Sequence, residues 1–124
     1  MAAEMAGFKT IACVEIDEWC RDILHKRFPD AKIYSDIKDV QGKDFYHVDV
    51  LSGGFPCQPV SIAGERKGSS DDRWLWPEFF RIIRESRPSW VIIENSPRLY
   101  SIQEFRTIKE NLLIDFIFAD TRFY

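Results

Sequence analysis

The alternation of apolar, β-branched segments with amphipathic segments constrains the fold of this chain most strongly. Three segments have the continuously apolar character of buried strands: Lys9 to Ile16, Val48 to Ser52 and Trp90 to Glu94. A short extended piece is predicted near Ile33, and Ile114 to Ala119 predicts a last strand. Strands of this kind, alternating with helices, are typical of an α/β fold with a mainly parallel sheet.

Capping residues and prolines delimit the predicted helices. Asp17 can cap the first helix, and Pro29 ends it. The apolar residues of this helix fall on one face: Trp19, Cys20, Ile23, Leu24 and Phe28. The second helix is predicted from Leu75 to Ser86, with a stripe of Leu75, Phe79, Ile82 and Ile83. Ser101 and Glu104 form a capping box for a third helix, which predicts an inward face of Ile102, Phe105, Ile108 and Leu112.

Size, charge and cysteine content narrow the class of protein. A chain of 124 residues is long enough for one domain with one core. Its net charge of −3 provides no general attraction for nucleic acid, so DNA binding would require a local patch or another chain. No apolar run is long enough for a membrane span, and no secretory signal opens the chain. Three cysteines favour free thiols in a reducing, cytoplasmic compartment, and their spacing predicts no metal site.

Polar side chains follow three of the predicted strands at the point where each ends. Glu15 closes the first, Cys57 lies just beyond the second, and Glu94 ends the third. In parallel α/β sheets, ligands bind at the carboxyl ends of the strands. The sequence therefore predicts that these side chains belong to one site.

Residues 53 to 73 form a long predicted loop around Cys57. Its glycines, Gly53 and Gly54, would let the backbone pass close to a ligand, and Pro56 and Pro59 restrict φ on either side of the cysteine. A rigid loop suits a nucleophile, which must react as the thiolate. The alternative is an ordinary turn with a buried thiol.

The remaining candidates each have a structural alternative. Glu94, partly desolvated at a strand end, is expected to have a raised pKa and to donate a proton, or else to cap the following turn. Glu15 is placed where dinucleotide-type folds bind ribose hydroxyls, or else it caps a helix beside Asp17. Three basic residues of the long loop could contact phosphates, although nearby acids make a solvated loop an alternative: Arg66, Lys67 and Arg73.

Several of these segments together resemble the motifs of the cytosine-C5 DNA methyltransferases. GGFPCQPVS resembles their catalytic Pro-Cys motif, and Glu94-Asn95 resembles their Glu-Asn-Val motif with Ser96 in the third place. CVEID resembles the ribose-binding motif, and Ser35-Asp36-Ile37 resembles the next cofactor motif. Asp72-Arg73 also matches, and the order and approximate spacing agree over nearly the whole chain.

The resemblance implies a role for each matching residue. Cys57 would add to C6 of a flipped-out cytosine, Glu94 would protonate N3, and Arg73 would support the base or the loop. S-adenosyl-L-methionine would supply the methyl group, and the implied cofactor residues are Glu15, Ile16, Asp36, Ile37 and Pro56. The implied DNA contacts are Gln58, Ser61, Arg66 and Lys67. Restriction-modification is the implied setting.

The sequence also departs from the family pattern at both ends. No glycine-rich turn and first strand precede MAAEMAGF, and no target-recognition region follows Tyr124. The expected fold is thus a partial Rossmann-like methyltransferase fold in a single partial catalytic domain, residues 1–124, in which two strands lack a ladder partner. Three interpretations stay open: an enzyme fragment, one chain of a split enzyme that needs a partner or self-association, and a non-catalytic binding protein. A cysteine hydrolase is disfavoured because no histidine is paired with a plausible site.

Overall fold

The computed structural model describes residues 2–55 and 75–95, together with residues 106, 108 and 110, which are helical. In chain order the elements of the described ranges are α1 (Ala2–Met5), β1 (Ala12–Val14), α2 (Glu18–Arg27), β2 (Lys32–Tyr34), two 3-10 helices (Ile37–Asp39 and Gly42–Phe45), β3 (Val50–Gly53), α3 (Trp76–Ser86) and β4 (Trp90–Ile93). The chain divides into two compact units, one of Met1–Leu51 with Arg81–Val91 and one of Ser52–Phe80 with Ile92–Tyr124. The predicted strand at 114–119 and most of the third predicted helix lie outside the described residues.

Helix α2 begins and ends where the capping signals predicted. The carboxylate of Asp17 accepts a hydrogen bond from the Cys20 amide at 2.9 Å, which satisfies one of the free N–H groups of the first turn. At the other end the Phe28 amide donates to the carbonyl of Leu24 at 2.8 Å, just before Pro29. The predicted apolar face of this helix is only partly covered, since Trp19 is 71% exposed.

Strands β1 and β2 form a parallel pair in the first unit. Ala12 lies opposite Lys32 and Val14 lies opposite Tyr34. The observed β1 is shorter than the predicted strand from residue 9 to residue 16. Two neighbouring strands separated by a helix and running in the same direction are what the α/β prediction requires.

Strands β3 and β4 form the other two-stranded sheet of the described residues. The Trp90 amide donates to the Asp49 carbonyl at 2.9 Å, and the Glu94 amide donates to the Gly53 carbonyl at 3.1 Å. The residue numbers of the hydrogen-bonded partners increase together along the two strands, so this pair is also parallel. The mixed helix and strand content with small parallel sheets confirms the α/β class.

The strands are less buried than their apolar sequences predicted. In β4 burial alternates, and Trp90 and Ile92 are 65% and 57% exposed. Val14 in β1 is 42% exposed. The physical reason is that side chains alternate between the two faces of a strand, so Trp90 and Ile92 share the face of β4 that is open to solvent, while the other face is partly covered.

The core of the second unit is aromatic. Trp76 and Phe79 of α3 are 2% and 6% exposed, and their ring centroids lie 6.2 Å apart. Phe55 is 7% exposed, with its ring 5.7 Å from that of Trp76. Phe79 belongs to the predicted stripe of this helix, whereas Trp76 and Phe55 do not. In the first unit, Ile82 of the same stripe is buried as predicted.

Candidate functional site

Two of the predicted site segments lie at one edge of the β1–β2 sheet. Glu15 follows β1 directly and Asp36 follows β2 after one residue. The register that pairs Val14 with Tyr34 continues past the strands, since the Glu15 amide donates to the Tyr34 carbonyl at 3.0 Å. Because the strands are parallel, their carboxyl ends, and the two segments that follow them, meet at the same edge.

The first segment, Glu15 with Ile16, is held by its own helix. One carboxylate oxygen of Glu15 accepts a hydrogen bond from the Asp17 amide at 2.9 Å. The guanidinium of Arg21 donates to the carbonyls of Glu15 at 3.1 Å and of Ile16 at 2.6 Å. Sequence reasoning did not identify Arg21; its place one turn after the helix cap Asp17 was the available signal. The Ile16 side chain is 79% exposed and presents a bare apolar surface.

The second segment begins with Asp36, which caps the 3-10 helix Ile37–Asp39. Its carboxylate accepts a hydrogen bond from the Lys38 amide at 2.9 Å. A carboxylate offers about four acceptor positions, so both Glu15 and Asp36 keep capacity for further donors. Two carboxylates with free acceptor capacity and an exposed apolar side chain therefore lie at one sheet edge.

A second group of contacts, all within the second unit, surrounds the start of the Cys57 loop. The Glu94 amide donates to the Gly53 carbonyl, and the Asn95 side-chain amide donates to the Phe55 carbonyl at 2.8 Å. Residues 94 and 95 are therefore fixed against residues 53 to 55. Sequence reasoning named Glu94 but did not assign a role to Asn95, although both stand in the same motif.

The two glycines before Cys57 lie close to other residues of the same unit. A Cβ on Gly54 would lie 2.8 Å from the Oε2 atom of Glu94 and 3.1 Å from its carbonyl oxygen. A Cβ on Gly53 would lie 2.6 Å from the Phe79 ring. In the described residues, then, the glycines permit the approach of a carboxyl group and an aromatic ring, and the approach of a ligand stays a prediction.

Phe55 is the last described residue before Cys57, and both its side chain and its backbone are held. Its side chain is buried between the rings of Trp76 and Phe79, at centroid distances of 5.7 and 6.3 Å. Its carbonyl is bound by Asn95, so both its side chain and its backbone are held. Cys57 follows two residues later. Seven of the predicted site residues lie outside the described residues: Pro56, Cys57, Gln58, Ser61, Arg66, Lys67 and Arg73.

Glu94 differs from its sequence expectation in one respect. Its side chain was expected to be partly desolvated, but it is exposed. The reason is that Glu94 comes just after β4, where alternate residues face solvent. Desolvation of this carboxyl would therefore have to come from a molecule that covers it.

The two described cysteines are free thiols that lack the features of a nucleophile. Burial raises the pKa of the Cys13 thiol. The pKa of Cys20 is also raised, first by desolvation and then by its hydrogen bond with Asp17 and the charges of Asp17 and Glu15. A raised pKa reduces the thiolate fraction, and thiolate is the reactive form. Neither thiol therefore has the environment that activates a nucleophile.

The described ranges hold neither a cluster of metal ligands nor a membrane-spanning helix. No group of three or more His, Cys, Asp or Glu side chains is arranged there to hold a metal ion. Nor does any helix in those ranges have the length and apolar character that crossing a membrane requires.

Comparison with known proteins gives one consistent family. The family model of the C-5 cytosine-specific DNA methylases matches residues 1–117. Type II methyltransferase M.NgoMIV of Neisseria gonorrhoeae is 35% identical over 96 residues, which cover 77% of this chain and 31% of that protein. Type II methyltransferase M.Eco47II of Escherichia coli is 34% identical over 120 residues, covering 93% and 29%. Type II methyltransferase M.HhaI of Haemophilus parahaemolyticus is 33% identical over 110 residues, covering 88% and 33%.

The chain spans about a third or less of the length of these relatives. The matched range nevertheless covers all the motifs on which the sequence resemblance was based. The resemblance is therefore confirmed: the chain belongs to the C-5 cytosine-specific DNA methylase family.

Proposed function

We propose that this chain carries the nucleophile, the acid and part of the cofactor site of a DNA cytosine-C5 methyltransferase. The observation that carries the proposal is the hydrogen bond from the Glu94 amide to the Gly53 carbonyl at 3.1 Å, because it holds the backbone of an acid beside the start of the loop that leads to Cys57. We infer that the parallel strands belong to a Rossmann-like sheet in a single partial catalytic domain, residues 1–124. A cytoplasmic location stays a prediction, and both a DNA substrate and free thiols are compatible with it.

Cys57 would begin the reaction as a thiolate. Its sulfur would form a bond to C6 of a cytosine rotated out of the duplex, which breaks the ring's aromaticity and moves electron density to C5. Glu94 would give a proton to N3 and so neutralise the charge that develops on the ring. Arg73 would support the base or the loop. Once C5 carries the methyl group, a base would remove the C5 proton, the S–C6 bond would break with release of the Cys57 thiolate, and N3 would return its proton to Glu94.

A flipped-out base that covered Glu94 would also remove water from its carboxyl group, which is exposed in the chain alone. A carboxyl group placed between a base and the backbone of Gly54 would lose water, which favours its protonated form. An exposed Glu94 is therefore compatible with an acid that acts only when the substrate is bound. Gln58, Ser61, Arg66 and Lys67 are proposed to contact the DNA.

The fit of S-adenosyl-L-methionine rests on the edge formed by β1 and β2. Glu15 would accept hydrogen bonds from the ribose hydroxyls, and Asp36 would accept one from the adenine amino group. The exposed Ile16, with Ile37 and Pro56, would cover the adenine ring. When bound, this cofactor supplies the methyl group.

A second candidate function, a chain that needs a partner for cofactor and DNA binding, is favoured by one observation. In the described ranges β1 and β3 each have a single strand neighbour, and Ile11 and Val14 are 46% and 42% exposed. Open strand edges with apolar side chains are sites of pairing with another chain. A partner strand or self-association would cover them.

Covalent trapping tests the catalytic proposal. The chain is incubated with S-adenosyl-L-methionine and mixed-sequence DNA duplexes that contain 5-fluorocytosine, in which fluorine replaces the proton that must leave C5. We expect a denaturation-resistant adduct with the native chain and with the Cys20→Ser control, and none with Cys57→Ser. An adduct that persists in Cys57→Ser would contradict the assignment of the nucleophile.

The same experiment separates the two candidates. Absence of adduct with the native chain would contradict catalysis by the chain alone. Light scattering then tests self-association through the open edges. A stable monomer with no adduct would contradict both catalysis by the chain alone and self-association.

A further inference from the structure

We propose that Arg81 and Glu85, one turn apart on α3, are positioning residues for the cofactor site through the segment Ile37–Gly42. This inference rests on the proposed cofactor role of Asp36, which directly precedes that segment. All of these residues belong to the first unit. Neither Arg81 nor Glu85 was singled out by the sequence.

Arg81 binds the backbone of the segment at two places. Its Nη2 atom donates to the Ile37 carbonyl at 3.2 Å, and its Nη1 atom donates to the Val40 carbonyl at 2.9 Å. The Ile37 and Val40 carbonyls lie at the two ends of the 3-10 helix that Asp36 caps. A planar guanidinium presents its donors in a fixed arrangement, so it sets the distance between the two carbonyls.

Glu85 binds the far end of the same segment. Its Oε2 atom accepts a hydrogen bond from the Gly42 amide at 2.8 Å. The same carboxylate forms an ion pair with Arg81, whose Nη1 atom lies 3.1 Å from Oε2. The pair therefore acts as one unit, with donors for the carbonyls and an acceptor for the amide.

Gly42 permits this close approach of the segment to α3. It is buried, and a Cβ at this position would lie 2.7 Å from the Glu85 Cβ and 3.0 Å from the Ile82 carbonyl oxygen. These atoms belong to the body of the helix and do not move easily. The segment thus lies directly on the backbone of α3.

The charges of the pair are maintained at neutral pH. Desolvation raises the pKa of Glu85. The hydrogen bond from the Gly42 amide and the guanidinium of Arg81, with a smaller effect of Lys43, lower it by more than this, so the net pKa is lowered. The carboxylate therefore stays ionised. Both side chains are about a third exposed, so solvent screens the attraction between them. The directional bonds to the backbone, more than the ion pair itself, give the pair its effect.

The effect reaches Asp36 through one turn of backbone. The Asp36 carboxylate accepts a hydrogen bond from the Lys38 amide, and the Ile37 carbonyl bound by Arg81 belongs to the same turn. If the turn loosens, the carboxylate loses the amide that orients it. A preorganised acceptor binds a ligand more tightly because less freedom is lost on binding.

The test compares four variants of the full chain by equilibrium dialysis with S-adenosyl-L-methionine. Arg81→Gln removes the guanidinium and Arg81→Lys keeps its charge. Asp36→Ala tests the cofactor residue itself. Arg27→Gln is the matched control, because Arg27 lies on α2 of the same unit and makes an exposed ion pair with Glu4 at 3.5 Å and a contact with the Phe28 ring at 5.8 Å. Amide hydrogen exchange at Val40 and Gly42 is measured on the same samples.

We expect Arg81→Gln to raise the dissociation constant about tenfold at unchanged stoichiometry, the effect of about one hydrogen bond. Arg81→Lys should recover part of the loss, and Arg27→Gln should bind like the native chain. Exchange at Val40 and Gly42 should accelerate in Arg81→Gln and stay at the native rate in Arg27→Gln. A merely structural role would instead lower the number of binding sites and leave the dissociation constant unchanged.

Two failures are distinguishable. If Asp36→Ala weakens binding but Arg81→Gln does not, the positioning role is overturned and the cofactor site stands. If the native chain does not bind S-adenosyl-L-methionine, cofactor binding by this chain alone is overturned, and if Asp36→Ala binds as tightly as the native chain, the cofactor role of Asp36 is overturned; in either case the positioning role falls with it.

Discussion

Replacement of Gly53 by alanine should destabilise the protein through a single steric contact. A Cβ at this position would lie 2.6, 3.0 and 3.3 Å from three atoms of the Phe79 ring. Carbon atoms in favourable contact are about 3.5–4.0 Å apart. The ring cannot move away easily, because Phe79 is 6% exposed and has the rings of Phe55 and Trp76 on its flanks, at centroid distances of 6.3 and 6.2 Å.

Two effects set the magnitude. Overpacking of a buried contact costs about 1–3 kcal/mol. Alanine is otherwise favoured over glycine in a strand by about 0.5–1 kcal/mol, which offsets part of that cost. The net loss in the free energy of unfolding is therefore about 1–2 kcal/mol, and we expect the melting temperature to fall by about 4–8 °C.

A double-mutant cycle identifies the cause. Leucine at position 79 lacks the ring atoms nearest to Gly53, so in a Phe79→Leu background the Gly53→Ala substitution should cost little or should stabilise. Gly7→Ala is the control: Gly7 has a φ of +89° and a Cβ added there would have no atom within 4 Å, so its cost should be the same in both backgrounds. Urea unfolding of all variants measures these energies. Equal costs of Gly53→Ala with and without Phe79 would refute the steric argument.

Three further predictions concern the catalytic loop and the pH dependence of stability. Asn95→Ala removes the donor to the loop carbonyl and should lower the free energy of unfolding by about 1 kcal/mol in urea and slow adduct formation with 5-fluorocytosine DNA; an unchanged trapping rate would contradict a role in the loop. Gly54→Ala should displace the carboxyl of Glu94 and slow trapping, and it should lower the melting temperature slightly, since the Glu94 carbonyl oxygen, 3.1 Å from the added Cβ, must also shift; trapping at the native rate would contradict the functional importance of this contact. Folding lowers the pKa of Glu85. The contribution of this carboxylate to stability is therefore fully present above about pH 4, where free glutamates titrate, and it is lost as the pH falls through the lower pKa of the folded state. Glu85→Gln should therefore reduce the loss of stability on acidification between about pH 5 and pH 3 in urea unfolding, and an acid limb identical to that of the native chain would contradict this account.

Much of the fold was predictable because its signals are local. The cap at Asp17 acts over three residues, and the apolar stripe of α3 repeats within each turn, so both can be read along the chain. Exposure was not predictable in the same way. Trp90 and Ile92 have the composition of a buried strand, yet whether such a strand is covered depends on elements elsewhere in the chain.

The candidate site was likewise predictable only in part. Glu15, Asp36 and Glu94 could be named from their motifs, because the chemistry of each residue type and its place after a strand are visible in the sequence. The partners that hold these segments could not. Arg81 is 44 residues from Ile37 and 41 from Val40, and nothing local connects them.

By itself the sequence determined the family, the order of strands and helices, and the residue types available for nucleophile, acid and cofactor binding. Those properties reside in short motifs and in periodic patterns, which act over a few residues. Only the tertiary structure decided that Gly54 makes room for Glu94, that Asn95 binds the Phe55 carbonyl, and that α3 holds the segment after Asp36. Such contacts form only when the strands pair and the helix packs, and this packing joins residues that are far apart in the sequence.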